Sequence, residues 1–206
     1  MLIAPTQDTA MTRAIAIIRE TGGVIRTSEA LKAGIHPRTL YALRDKNILE
    51  RISRGFYRLT DGPPLSNPDL VTVAAKVPQG VVCLISALAF HEMTTQIPHS
   101  ISIALAPGRK VPRLDYPAIS VYRFSKASLA VGIEHHMIDS VVVKVFSPEK
   151  TLADCFKFRN KLGMDVVLEA LKLYRTRDRF IIAELLEYAR VCRVERVMKP
   201  YLEATI

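Results

Sequence analysis

The chain has 206 residues, 49% of them apolar and 24% charged, with a formal net charge of +9 and a pI near 9.6. These proportions suit one large or two small globular domains and exclude a disordered chain; no apolar run reaches the roughly 18–20 residues that cross a bilayer. Cys83, Cys155 and Cys192 are odd in number, far apart and set in apolar patterns, which fits buried thiols in a reducing cytoplasm and not a zinc site or a disulfide frame.

In chain order, Met1 to Thr12 lack the basic-then-apolar order of a secretory signal. Residues 9–20 predict a first helix with Met11, Ile15 and Ile18 on one stripe. Gly22 and Gly23 end it, and Val24-Ile25 reads as a short edge strand able to pair with a later hairpin. Thr27 or Ser28 can cap a short helix running to Lys32, and Gly34, with no Cβ, takes the positive φ that stops it. Pro37 suits the first position of a second helix, where a missing N–H is harmless. Leu40 and Leu43 then share one face, while His36, Arg38, Thr39, Tyr41 and Arg44 fall on the others. Two helices around a tight glycine turn, the second carrying Arg, Thr, Tyr and Arg outward, predict a helix-turn-helix.

Residues 48–52 are strand-like, Ser53-Arg54-Gly55 is a turn, and Phe56 to Leu59 predict a second strand. A basic hairpin directly after a recognition helix is the wing of a winged helix-turn-helix. Arg51, Arg54 and Arg58 are expected near phosphates, with Arg38, Thr39, Tyr41 and Arg44 toward the major groove. Arginine suits both tasks, because its planar fork grips phosphate oxygens and pairs two-fold with guanine. The other use of such a domain is protein contact alone. Charge favours a duplex: residues 1–60 hold 10 Lys and Arg against 5 Asp and Glu, residues 61–147 hold 7 against 6, and residues 148–206 hold 12 against 9. Leucines and isoleucines at 15, 18, 31, 40, 43, 49 and 59 suffice for a small core.

Three prolines within residues 61–68 make a stiff, non-helical spacer between a domain at 1–61 and another at 67–206. Leu70, Val73, Ala74 and Val77 predict the apolar face of a helix starting near Pro68, which Gln79-Gly80 breaks. Residues 81–92 combine a buried run with a helix capped by Ser86, and His91 at its end is favoured as a cation there. Strands follow at 101–106, 119–124, 133–137 and 141–146, with a loop at 107–112. From the Ser147 cap and Pro148 the pattern is helical, with breaks at Leu162-Gly163 and new starts at Asp165, Asp178 and Arg193. Strands first and helices after predict an α+β fold for the second domain, a small mixed sheet then C-terminal helices.

Catalytic chemistry has few candidates. No nucleotide loop, zinc pattern or nucleophile elbow is present. His135 and His136 are neighbours on a strand and point to opposite faces, so they cannot share one ion. Glu149, Lys150 and Asp154 are the most enzyme-like group and raise a metal-dependent nuclease as an alternative. Glu149 is better explained as a first-turn acid meeting the helix dipole, and Lys150 with Asp154 as an exposed or half-buried i, i+4 ion pair. No catalytic residue, metal or cofactor is assigned.

A winged helix ending in SRGFYRL, an ISALAFHEMT segment and the run SPEKTLADCFKFRNKLGMDVVLEAL together resemble the AbiEi family of type IV toxin–antitoxin antitoxins, over roughly residues 10–200. The resemblance implies a cytoplasmic, non-enzymatic phage-defence protein that represses its own operon at promoter inverted repeats. It further implies that the second domain counters a nucleotidyltransferase-like toxin without a stable complex. DNA contact would then fall on His36, Arg38, Thr39, Tyr41, Arg44, Arg51, Arg54 and Arg58, by a monomer or a weak dimer formed on double-stranded DNA.

Overall fold

The computed structural model describes residues 7–62, 64–111 and 113–204; the first six residues of the N-terminal reading, Pro63 of the spacer and Pro112 of the 107–112 loop lie outside them. The fold is α+β. Two compact units are formed, one running to Lys76 and including Met137–Val142, the other comprising Val77–His136 and the chain from Val143 on.

The first unit runs α1 (Gln7–Glu20), β1 (Val24–Arg26), α2 (Thr27–Lys32), α3 (Pro37–Asp45), β2 (Leu49–Ser53), β3 (Phe56–Leu59) and α4 (Pro68–Lys76). Its sheet has the order β1-β3-β2, all antiparallel, so the early strand does lie at the edge and pairs with the second wing strand. Met11, Ile18, Ile25, Leu40, Leu43, Leu49 and Leu59 bury together on one face of that sheet, each large aliphatic side chain contributing about 1.5–3 kcal/mol. Leu31, expected in this core, is instead 49% exposed, because in a helix as short as α2 the buried position is taken by Ala30. The cap of α2 also differs from expectation. Arg26 occupies the cap position, and its amide donates to the Glu29 carboxylate at 3.1 Å, so the side chains of Thr27 and Ser28 are not needed there. The opposite face of the sheet buries Val24 and Phe56 with Val71 of α4 and Val141.

The second unit contains β4 (Val81–Val82), α5 (Leu84–Phe90), β5 (Ile101–Leu105), β6 (Ile119–Arg123), α6 (Lys126–Leu129), and most of β7 (Ile133–Ile138) and β8 (Val141–Phe146). It ends in α7 (Pro148–Lys157), α8 (Arg159–Leu162), α9 (Met164–Arg175), α10 (Ile182–Cys192) and α11 (Glu195–Glu203). The strand order is β6-β5-β4-β8-β7, with β4 antiparallel to β5 but parallel to β8. The sheet is therefore mixed, as expected. Ser147 does cap α7, its hydroxyl accepting from the Lys150 amide at 3.2 Å. Ser86 does not cap α5; it lies inside the helix and accepts the Ser102 amide at 2.8 Å, tying α5 to β5. The third C-terminal helix begins at Ile182, four residues after the predicted start at Asp178. Among the described residues no helix is long and apolar enough to cross a membrane.

Candidate nucleic-acid interface

Helix α3 is positioned from both ends. His36 precedes Pro37 and caps the helix, its Nδ1 accepting the Arg38 amide at 3.2 Å. Burial of Leu40 and Leu43, at 1% and 0% exposure, then fixes which face turns outward. At about 100° per residue that outer face carries Arg38, Tyr41 and Asp45, with Arg44 at one margin of the buried stripe and Thr39 at the other. The Arg44 guanidinium lies 5.3 Å from the centre of the Tyr41 ring and 2.7 Å from Asp45 Oδ1, and the hydrogen bond and charge of Asp45 raise its pKa above the usual arginine value.

The wing is held against α2. The Thr27 amide donates to the Gly55 carbonyl at 2.9 Å. Gly55 has φ +73°, and a Cβ there would in addition touch the Thr27 hydroxyl at 3.4 Å, so the tip requires glycine. Arg51 Nε donates to the Ser53 carbonyl at 3.2 Å, which aligns its guanidinium along the hairpin. Tyr41, Arg44, Arg51 and Arg54 thereby line one cleft of about 470 Å³, with Thr27, Gly55 and Tyr57 completing its walls. Three guanidinium groups around one concavity form a receptor for anionic oxygens.

The other predicted residues lie elsewhere. Arg38 is exposed on the outer face of α3 but does not line this cleft. His36 and Thr39 line a separate groove with Arg13 of α1 and Gly34. Arg58 is turned away. It pairs with Glu50 at 2.6 Å and its side chain is only 19% exposed. The register sets Glu50 opposite Arg58 and Arg51 opposite Tyr57, and strand alternation puts these two pairs on opposite faces of the sheet. Arg13, Thr27 and Tyr57 escaped the sequence reading. Tyr57 was signalled by its place two residues before the core residue Leu59, whereas the role of Thr27 is carried by its backbone.

The enzyme-like residues of the second unit are enclosed. Lys150 Nζ lies 2.5 Å from Asp154 Oδ2 with both side chains at 0% exposure, not exposed or half-buried as the i, i+4 spacing alone suggested. The ammonium also faces the rings of Phe146 at 4.2 Å and Phe124 at 5.1 Å. Cys192 donates to Asp154 Oδ1 at 3.1 Å. Burial pushes the Cys192 thiol up to about 12 and raises Asp154 above the ordinary carboxylate range. Glu149 is buried too, accepting from the Tyr174 hydroxyl at 2.8 Å. His91, expected as a cation at its helix end, is buried beside the Phe146 carbonyl, and desolvation lowers its pKa toward the neutral form. His136 pairs with Glu134 at 2.9 Å while His135 lines a different cleft.

Comparison with known proteins bears on the first unit most directly. No curated protein matches the chain. A crystal structure of the Rv2827c protein from Mycobacterium tuberculosis shares the fold with a TM-score of 0.51 at 12% identity, over 98% of this chain and 82% of that one. Residues 13–60, from mid-α1 to the end of the wing, match the model of a family described as a transcriptional regulator, AbiEi antitoxin. Over that stretch the chain is similar to the AbiEi antitoxin family of transcriptional regulators.

Proposed function

We propose that the protein is a sequence-specific DNA-binding repressor of its own promoter and the antitoxin of a type IV pair. In this reading residues 1–61 bind duplex DNA at inverted repeats, as a monomer or a weak dimer formed on the DNA. Residues 67–206 serve the antitoxin role in the cytoplasm, opposing a nucleotidyltransferase-like toxin without a stable complex and without catalysis of their own. The observation that carries the DNA-binding part is the cleft where Arg44 of α3 meets Arg51 and Arg54 of the wing. Arg44 and Tyr41, stacked on the recognition helix, are assigned to base edges together with Arg38 and Thr39. Arg51 and Arg54 are assigned to phosphates, and His36 to placing the start of α3. Arg58 belongs to this set only if its pairing with Glu50 opens on DNA.

Fluorescence anisotropy on the protein's own upstream region, across a salt series, tests the reading. Log affinity should fall against log salt with a slope near −0.9 for each phosphate neutralised. Arg54→Ala should weaken all sequences alike and flatten that slope by about 1. A salt-independent signal, or none above that of scrambled duplex, rejects repression by this surface. Magnesium-dependent cutting of DNA that Asp154→Ala abolishes while circular dichroism shows the variant still folded would instead establish the nuclease alternative.

A further inference from the structure

The second unit holds a polar cleft of about 530 Å³, within the size range of small-molecule sites, that DNA binding does not use. His91, Glu134, Glu149, Glu184 and Arg177 are among its walls. Two of these are more than nine-tenths buried, Glu149 at 5% exposure and His91 at 8%. Each has one polar atom engaged by the protein. Glu149 Oε1 accepts from Tyr174, and His91 Nε2 lies 2.7 Å from the Phe146 carbonyl, which places the imidazole proton on Nε2 and leaves Nδ1 a lone pair. Among the described residues no hydrogen bond reaches Glu149 Oε2 or His91 Nδ1. Both open atoms are acceptors, and neither is among the buried side-chain atoms left without a partner, so both are reached from the cleft and a donor entering it can meet them.

The neighbouring cation does not answer them, because Lys150 is committed to Asp154 inside the core. A bare metal ion does not fit either. Among the described residues no group of three or more His, Cys, Asp and Glu could hold one, so these two acceptors have no third ligand beside them. An extended group with several N–H donors matches them better. Arg177 and the exposed Arg179 add positive charge to the same cleft, with Arg179 only loosely paired to Glu184 at 3.7 Å. They favour a ligand whose far end is anionic.

We propose that this cleft binds a small zwitterion, an ammonium or guanidinium head donating to Glu149 and His91 and a carboxylate tail near Arg177 and Arg179. Calorimetry on the full chain with 4-guanidinobutyrate and 5-aminovalerate tests this, with sodium chloride at matched ionic strength as the blank. At least one probe should bind saturably and shift the His91 ring nitrogen resonances. Glu149→Gln should weaken that probe about tenfold or more. If Glu149→Gln does not fold, Arg179→Gln, at an exposed position beside the tail, supplies the reading, with a loss of about threefold. Arg54→Ala, in the wing, should bind the probes as the parent does, so a failure of the DNA reading would leave this one standing. Absence of saturable binding by both probes, or binding that neither substitution weakens, overturns the proposal.

Discussion

Each unit places a cation over an aromatic ring and beside an aspartate, and the two sites differ in their exposure to water. Arg44 sits over Tyr41 at 5.3 Å with a side chain 41% exposed, next to Asp45. Lys150 sits over Phe146 at 4.2 Å with no exposure at all, against Asp154. Water screens the first pair, so its mutual attraction is weak and Asp45 can be exchanged for another anion at little cost. The second pair has lost its water, and each partner depends on the other to remain charged. A surface arginine beside a replaceable carboxylate can exchange it for a ligand's anion; an enclosed lysine holds helices together. The same residue chemistry thus separates the candidate recognition surface from a core.

The largest expected effect would break the enclosed pair. Asp154→Ala should destabilise the protein by about 3–5 kcal/mol in denaturant unfolding, because it strands Lys150 without a counter-charge. Replacing both, Lys150→Met with Asp154→Leu, should return most of that stability. A single variant as stable as the parent would show that the pair is not desolvated as described. On the exposed side, Arg44→Ala should leave unfolding unchanged but lower operator affinity about tenfold and relax preference at one base pair. Equal, sequence-blind losses for Arg44→Ala and Arg54→Ala would reject the division between base and phosphate contacts.

Smaller effects sharpen the contrast. Asp45→Asn removes the internal competitor for Arg44 and should tighten DNA binding about twofold at low salt, the gain vanishing as salt rises; weaker binding would mean that Asp45 orients Arg44. The smallest effect concerns His91, whose folded-state pKa lies below its ordinary value of 6.5. Its neutral form is favoured by folding, so its contribution is fully present above that value. It is lost as pH falls below 6.5 toward the depressed folded pKa, where protonation favours the unfolded chain. Melting temperature against pH should therefore drop less steeply over that window in His91→Gln, and identical profiles would refute the buried neutral ring.

Much of the candidate site's framework was legible because its cues are local. Pro37 and Gly55 act through their own backbone, and Leu40 with Leu43 fixes the outward face of α3 by helical period alone. Arg58, expected in the phosphate set, pairs instead with Glu50, and alternation contained the warning, since Tyr57 and Leu59 face the core and Arg58 lies between them. Thr39 and Arg44 look alike on a helical projection, both flanking the buried stripe, and only the groove beside α1 distinguishes them. Glu149 read as a first-turn acid and Lys150 with Asp154 as an exposed or half-buried ion pair, because charged residues at a helix start usually meet solvent; their burial depends on α9 and α10, which pack against α7 from later in the chain.

Period, caps and breakers in the sequence by themselves determined most of the helices and strands, that a basic winged helix comes first, and that strands followed by helices come second. Those signals are short-range, each settled by a backbone torsion or a repeat of two to four residues. Tertiary structure alone decided which charges share a cleft, which are sealed in a core, and which acceptors are left open. Those outcomes turn on desolvation, and desolvation is set by neighbours far away in the chain.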